Sequence, residues 1–173
     1  MREINLPLTR ETIASLNAYD RILLNGPILV GRDQVHLRIS KLLKEGSPLP
    51  VSLENETIYY MGPAATPKSM IIGSSGPTTA ARMDPFTPTL MDAGLAASIG
   101  KGPRSEAVLE AVRTNKGLYL IAFGGCGALY ATKVIAKEVI GFEDLGPEAL
   151  MRLEVRGFPV IVGIDSKGNS VFT

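Results

Sequence analysis

Apolar and polar positions alternate along this chain in short blocks separated by glycine and proline, a pattern that predicts alternating strands and helices rather than long helices. Residues 1–20 read as a strand and a helix, with Thr9 placed to cap and Ile13, Leu16 and Ala18 supplying apolar contacts, and form an arm ahead of a single domain over 21–173. Residues 21–31 are strand-like with a turn inside them, and Asp33 then caps a helix that runs to about Glu45 and stops at Gly46. Residues 57–61 are rich in β-formers and end at Gly62-Pro63, with another short strand expected at 70–72. A helix from about Pro85 or Thr87 to Asp92 precedes a brief strand at 97–100, and Pro103 opens a helix to Asn115. Residues 117–123 are an almost unbroken apolar run, as expected for a central strand buried on both faces. A glycine turn at 124–127 then leads into a helix to about Lys137. Strands are expected at 151–155, 159–165 and 170–173, the last two joined by Ser166-Lys167-Gly168-Asn169 as a hairpin turn. The alternation, together with antiparallel β structure at the C-terminus, predicts a layered α/β domain of mixed strand direction.

Composition narrows the function classes. With 173 residues, 45% hydrophobic and 20% charged, the chain is long enough for one proper core, and its net charge of +1 gives no field for nucleic acid or a membrane surface. No tryptophan and only 6% aromatics argue against a base-stacking surface. Cys126 is the single cysteine and His36 the single histidine, so the chain cannot close a disulfide or build a cysteine-rich metal cage by itself. The N-terminus lacks a basic segment followed by an apolar one, and the apolar runs are far short of the about 20 residues that span a bilayer. A cytoplasmic location is expected.

Chemistry gathers at four turns. Gly73-Ser74-Ser75-Gly76-Pro77-Thr78-Thr79 leads toward Arg82-Met83-Asp84, with Pro77 fixing φ before two threonines that can cap a helix. Unpaired amides at such a turn, with Arg82 one helical turn beyond Thr78, suit a carboxylate or phosphate. The turn is not a Walker loop, since no Gly-Lys-Ser/Thr follows the glycines at the required spacing. Gly31-Arg32-Asp33, Gly100-Lys101-Gly102 and Gly124 to Gly127 also sit at strand-to-helix junctions, where loops collect around ligand crevices. Arg32, Arg82 and Lys101 could therefore converge on one polyanion. Taken singly, each arginine equally fits an ordinary surface charge and Lys101 an exposed turn. His36 fits a hydrogen-bonding support for the Arg32 junction, Asp33 a helix cap, Asp84 a brace for Arg82 or for the loop, and Cys126 a small buried hydrophobe.

These motifs, Gly31-Arg32-Asp33 with His36, then Gly76-Pro77-Thr78-Thr79 with Arg82-Met83-Asp84, then Gly100-Lys101-Gly102, resemble in order the β subunit of class I fumarases and L-tartrate dehydratases. The resemblance covers about residues 20 to 173. It implies a swivelling β/β/α domain that joins a larger, cluster-bearing α subunit in a hetero-oligomer, the four-iron, four-sulfur cluster being held by that partner and no metal by this chain. It further implies reversible hydration of an unsaturated dicarboxylate, with Arg32, Arg82 and Lys101 as the substrate clamp, Gly76 and Pro77 shaping the turn, and Thr78 as the base at C3. Asp33, His36 and Asp84 would support these residues from behind. A start close to Met1 resembles the two-subunit arrangement, and Met83-Asp84-Pro85-Phe86 is closer to the fumarase pattern than to the tartrate one. L-tartrate dehydration and a non-catalytic anion-binding or assembly module remain the alternatives. A cysteine enzyme built on Cys126 is weaker, because His36 would be its sole imidazole.

Overall fold

The structure is a computed structural model and describes residues 1–172. In chain order its regular elements are β1 (Arg2–Asn5), α1 (Arg10–Ser15), β2 (Arg21–Val30), α2 (Asp33–Glu45), β3 (Thr57–Tyr59) and α3 (Thr87–Asp92), then β4 (Ala97–Gly100), α4 (Glu106–Asn115), β5 (Leu118–Ile121), α5 (Gly127–Thr132), β6 (Val134–Gly141) and β7 (Leu150–Ile164). Two 3₁₀ segments, Ala80–Met83 and Glu143–Glu148, lie between them. The fold is α/β with a mixed sheet, as the sequence pattern predicts. Strands β2, β3, β4 and β5 are parallel neighbours, while β7 runs antiparallel to both β5 and β2 and so closes a five-stranded ring. Outside the ring, β1 pairs parallel with β2 and β6 pairs antiparallel with β7.

Strand period divides the apolar residues between two layers. Ile28, Val30, Tyr59, Ala97, Ile99, Leu118 and Leu120 join one core, inside the ring. Their neighbours Leu29, Ile58, Tyr60 and Tyr119 join a second, under α2, α3 and α4. The arm over residues 1–20 is tied down: β1 adds to the sheet, and Ile4, Leu6, Leu8, Ile13 and Leu16 are buried in the first core. Thr9 caps α1 by accepting from the Thr12 amide.

Several local expectations are corrected. The turn expected within 21–31 is a bulge in one continuous strand, where the register with β7 shifts between Leu24 and Gly26. Gly26 has φ +122°, and a side chain there would meet the Leu6 carbonyl at 2.9 Å. Residues 70–72 are bends rather than a strand. The helix expected to open at Pro103 starts at Glu106, capped by Ser105 accepting from the Val108 amide. The helix expected to reach Lys137 ends at Thr132, because the β-branched Val134 and its successors pair with β7. The two strands expected at 151–155 and 159–165 are one, since Pro159 is accommodated opposite Leu23 without breaking the ladder. The hairpin turn places Ser170 in an antiparallel bridge with Ile164; Thr173 lies outside the described residues.

Candidate active site

Because β2, β3, β4 and β5 are parallel and adjacent, their C-terminal ends share one rim of the ring. The register sets Val30 beside Tyr59, Tyr59 beside Ile99 and Gly100 beside Ile121, so Gly31-Arg32, Tyr60 to Gly62, Lys101 and Ala122 emerge side by side. The long connection from β3 then folds back over this rim.

That connection is held by a dense set of hydrogen bonds. The buried Tyr59 hydroxyl donates to the Ser75 carbonyl at 2.7 Å, and burial raises its pKa well above the ordinary phenol value, so it remains a donor. The Ser75 amide donates to the Gly127 carbonyl at 3.0 Å and the Ser75 hydroxyl to the Gly73 carbonyl at 2.7 Å. Further on, the Thr78 amide donates to the Tyr60 carbonyl at 2.7 Å, the Lys101 amide to the Thr78 carbonyl at 3.3 Å, and the Ala80 amide to the Lys101 carbonyl at 2.9 Å. The amides of Ser75, Thr78 and Ala80, expected to point outward for an anion, are thus used within the chain. Nor does Thr79 cap a helix through its side chain: it forms a parallel bridge with Lys101 and leads into only the four-residue segment Ala80–Met83. What the turn supplies is rigid placement. Thr78, half-buried, is locked beside Lys101 and above β3.

Side-chain charges are distributed differently from the sequence expectation. Asp33 is the first residue of α2 rather than its cap, and makes an ion pair with Arg82, whose Nε lies 3.3 Å from Asp33 Oδ1. The Asp33 charge at the helix N-terminus is favourable even without a capping bond. Asp84 does not brace Arg82; it accepts from Arg104 Nε at 2.6 Å and from the Ser105 amide at 2.8 Å. Arg32 Nη2 pairs with Glu148 Oε1 at 2.5 Å, while its Nε is buried with no partner. The guanidinium lies so close over Gly62 that a Cβ there would overlap it. A cleft of about 540 Å³ lies between the chain after Gly62 and the β6–β7 side, lined by Pro63, Thr66, Lys137, Pro147 and Met151. Lys101 is exposed, its side chain passing 3.5 Å from where a Gly124 Cβ would sit. Gly76 lies against Gly127, and Pro77 is buried.

Two supporting groups are fully buried. His36 Nδ1 lies 2.7 Å from the Arg32 carbonyl, and its ring meets that of Tyr60 edge-on at 5.2 Å. Burial lowers its pKa from 6.5 to about 4, partly opposed by the Arg32 carbonyl and reinforced by the Arg104 charge, so the ring is neutral at pH 7. Arg104, not singled out by any sequence motif, has no exposed side-chain surface. Besides Asp84 it reaches the Ser98 hydroxyl at 3.0 Å, the Thr87 hydroxyl at 2.7 Å and the Tyr60 hydroxyl at 3.2 Å, and lies over the Tyr119 ring at 4.7 Å. Glu148 was equally invisible, being 116 residues from Arg32. Among the described residues no three His, Cys, Asp or Glu side chains gather as a metal site, and half-buried Cys126 packs against the inner core.

The whole chain, residues 1–173, matches the family described as Fumarase C-terminus. It is 39% identical over 177 residues to fumarate hydratase 1, mitochondrial, of Leishmania major, covering 99% of this chain and 32% of that protein. The aerobic class I fumarate hydratase of Escherichia coli K12 is 38% identical over 98% of this chain and 32% of its own length. A Methanocaldococcus jannaschii protein provisionally named L(+)-tartrate dehydratase subunit beta is 37% identical, and here the match spans 95% of this chain and 88% of the relative. The chain thus spans about a third of the length of these fumarate hydratases but most of the tartrate dehydratase subunit. With its full length matched and its rim motifs drawn together at one end of a closed ring, this chain belongs to the Fumarase C-terminus family.

Proposed function

We propose that this chain is the substrate-clamping β subunit of an iron–sulfur hydro-lyase that interconverts malate and fumarate. The observation that carries the reading is the shared rim: Arg32, Thr78, Arg82 and Lys101, from three separate segments, are brought to one end of the ring. Each arginine already holds a carboxylate of this chain, Glu148 on Arg32 and Asp33 on Arg82, and all four side chains are 28–52% exposed. Ion pairs that exposed contribute about 0–1 kcal/mol, so a substrate carboxylate can replace them at little cost. Lys101 adds a third charge over the glycine turn.

In this reading Arg32, Arg82 and Lys101 bind the two carboxylates and fix C3 against the Thr78 hydroxyl, which takes the C3 proton. A threonine hydroxyl is a weak acid, and the positive charges around it favour the alkoxide. The cluster does not fit this chain: such clusters need several thiolates, and Cys126 is alone. It belongs to the partner α subunit, and departure of the C2 hydroxyl falls to groups outside this chain.

The test is reconstitution with an anaerobically prepared cluster-bearing subunit, followed by malate–fumarate turnover. The complex should be active and the chain alone inactive. Thr78→Val should lower kcat by at least about a hundredfold with KM changed less than about threefold, as expected for loss of a general base. Arg82→Met should lower kcat/KM at least about tenfold, from loss of a charge-assisted hydrogen bond. Arg113→Met is the control, since that guanidinium is 57% exposed and pairs with Glu110 of its own helix. Turnover by the chain alone, or full activity of Thr78→Val, would overturn the reading. L-tartrate dehydration is the second reading, supported by the relative whose length this chain nearly spans; faster turnover of L-tartrate than of malate by the same complex would establish it.

A further inference from the structure

Arg104 is a full positive charge buried between the sheet and its helices, and a structural arginine in that place is costly unless its donors are used. They are: Nε serves Asp84, Nη1 serves Ser98, and Nη2 serves both Tyr60 and Thr87. No lysine could reproduce this fork.

The partners are not scattered. Asp84 directly follows the 3₁₀ segment Ala80–Met83 that carries Arg82, and Arg104 comes three residues after Lys101. Both Asp84 oxygens are taken by the 104–105 segment, Oδ1 by Arg104 and Oδ2 by the Ser105 amide. Tyr60, touched by the same guanidinium, gives its carbonyl to the Thr78 amide. Tyr119, under the guanidinium, donates its hydroxyl to the Gly102 carbonyl at 2.8 Å. One side chain therefore links the segments that bear Thr78, Arg82 and Lys101. It also keeps Asp84 fully occupied, which leaves Arg82 only the half-exposed Asp33 as a carboxylate partner.

We propose that Arg104 is a positioning residue that sets the separation of Arg82 and Lys101 for the substrate's carboxylates through its pair with Asp84. The inference rests on the clamp reading above.

The experiment compares Arg104→Lys and the double variant Arg104→Met/Asp84→Leu with the parent in the reconstituted complex. Both variants should raise KM for malate by about tenfold or more while kcat changes less than about threefold, because the binding charges are misplaced but the base remains. The double variant replaces a buried ion pair by apolar groups, which commonly leaves stability equal or higher. If Arg104 served stability alone, a stable double variant would regain the parent KM, and that result would overturn the proposal. Hydrogen exchange on the chain alone gives a second readout. The amides of Ala80 and Lys101 should exchange faster in Arg104→Lys while those of Leu118–Ile121 stay protected. Unchanged exchange, or uniform acceleration, would count against it. A parent complex that fails to turn over malate defeats the clamp reading instead, and the exchange result still decides whether Arg104 holds the two segments.

Discussion

His36 carries more information than a buried ring usually does. The Arg32 carbonyl can only accept, so the proton sits on Nδ1, and Nε2 turns a lone pair into a buried space with no hydrogen-bond partner. Its job at this scale is to hold the carbonyl from which Arg32 projects. Burial denies a charged ring its solvation, and protonation would also place a second positive charge near Arg104; together they depress the folded pKa from 6.5 to about 4. Between those values the unfolded chain holds more protons than the folded one, so stability is full above pH 6.5 and is lost as pH falls toward 4, by about 3 kcal/mol in all. His36→Asn keeps a donor toward Arg32 and removes the titration. Urea unfolding of parent and variant should show a shallower loss of stability for the variant between pH 6.5 and 4. Equal slopes over that window would mean that His36 does not titrate there.

At the scale of elements, the rim is a contact between two turns, the serine-glycine turn at 73–76 and the glycine turn that opens α5. Gly127 is the point of closest approach. A Cβ on it would strike the Ser74 hydroxyl and come within 2.9 Å of the Gly76 nitrogen and 3.3 Å of the Ser75 nitrogen, backbone atoms that cannot rotate away. Gly127→Ala must therefore push the turn outward and strain the Ser75-to-Gly127 hydrogen bond, at a cost of about 1–3 kcal/mol. By contrast, Gly125→Ala meets no atom within 4 Å, and its cost comes from φ +80° alone, about 1 kcal/mol. Thermal or urea denaturation of the two variants separates these mechanisms. In the reconstituted complex Gly127→Ala should also lower kcat, since Thr78 follows the displaced turn by two residues beyond Gly76. A Gly127→Ala protein as stable as the parent would show that the turns do not touch as described.

The whole molecule is closed by β7, whose 15 residues pair with β2 along almost its full length and with β5 and β6. β7 supplies two of the five seams of the ring, to β2 and to β5, and each ring strand is paired on both sides, so the ring should unfold as one unit. Native-state hydrogen exchange should find the β7 amides paired with β2 opening only with the free energy of global unfolding. Amides of the β3-to-β4 connection near 64–70, where few hydrogen bonds hold the chain, should open at lower cost. Sub-global opening of β7 ahead of β4 and β5 would contradict a closed ring.

The sequence by itself determined the local elements and the chemistry present: an almost unbroken apolar run marked β5, a brief strand before Gly100-Lys101-Gly102 marked β4, Gly46 ended α2, and the glycine-flanked cations at strand ends pointed to a carboxylate site. These are properties of neighbouring residues, and neighbours are what a sequence displays. Only the tertiary structure decided the pairing of charges and the closure. Arg32 finds Glu148 116 residues away, Asp33 turns from cap to partner of Arg82, and Asp84 is claimed by Arg104. Val134 and its successors, free to be helix or strand by propensity, became β6 because β7 offered an edge to pair with. Long-range hydrogen bonds and burial choose among local options of similar energy, and those choices exist only once the ring has closed.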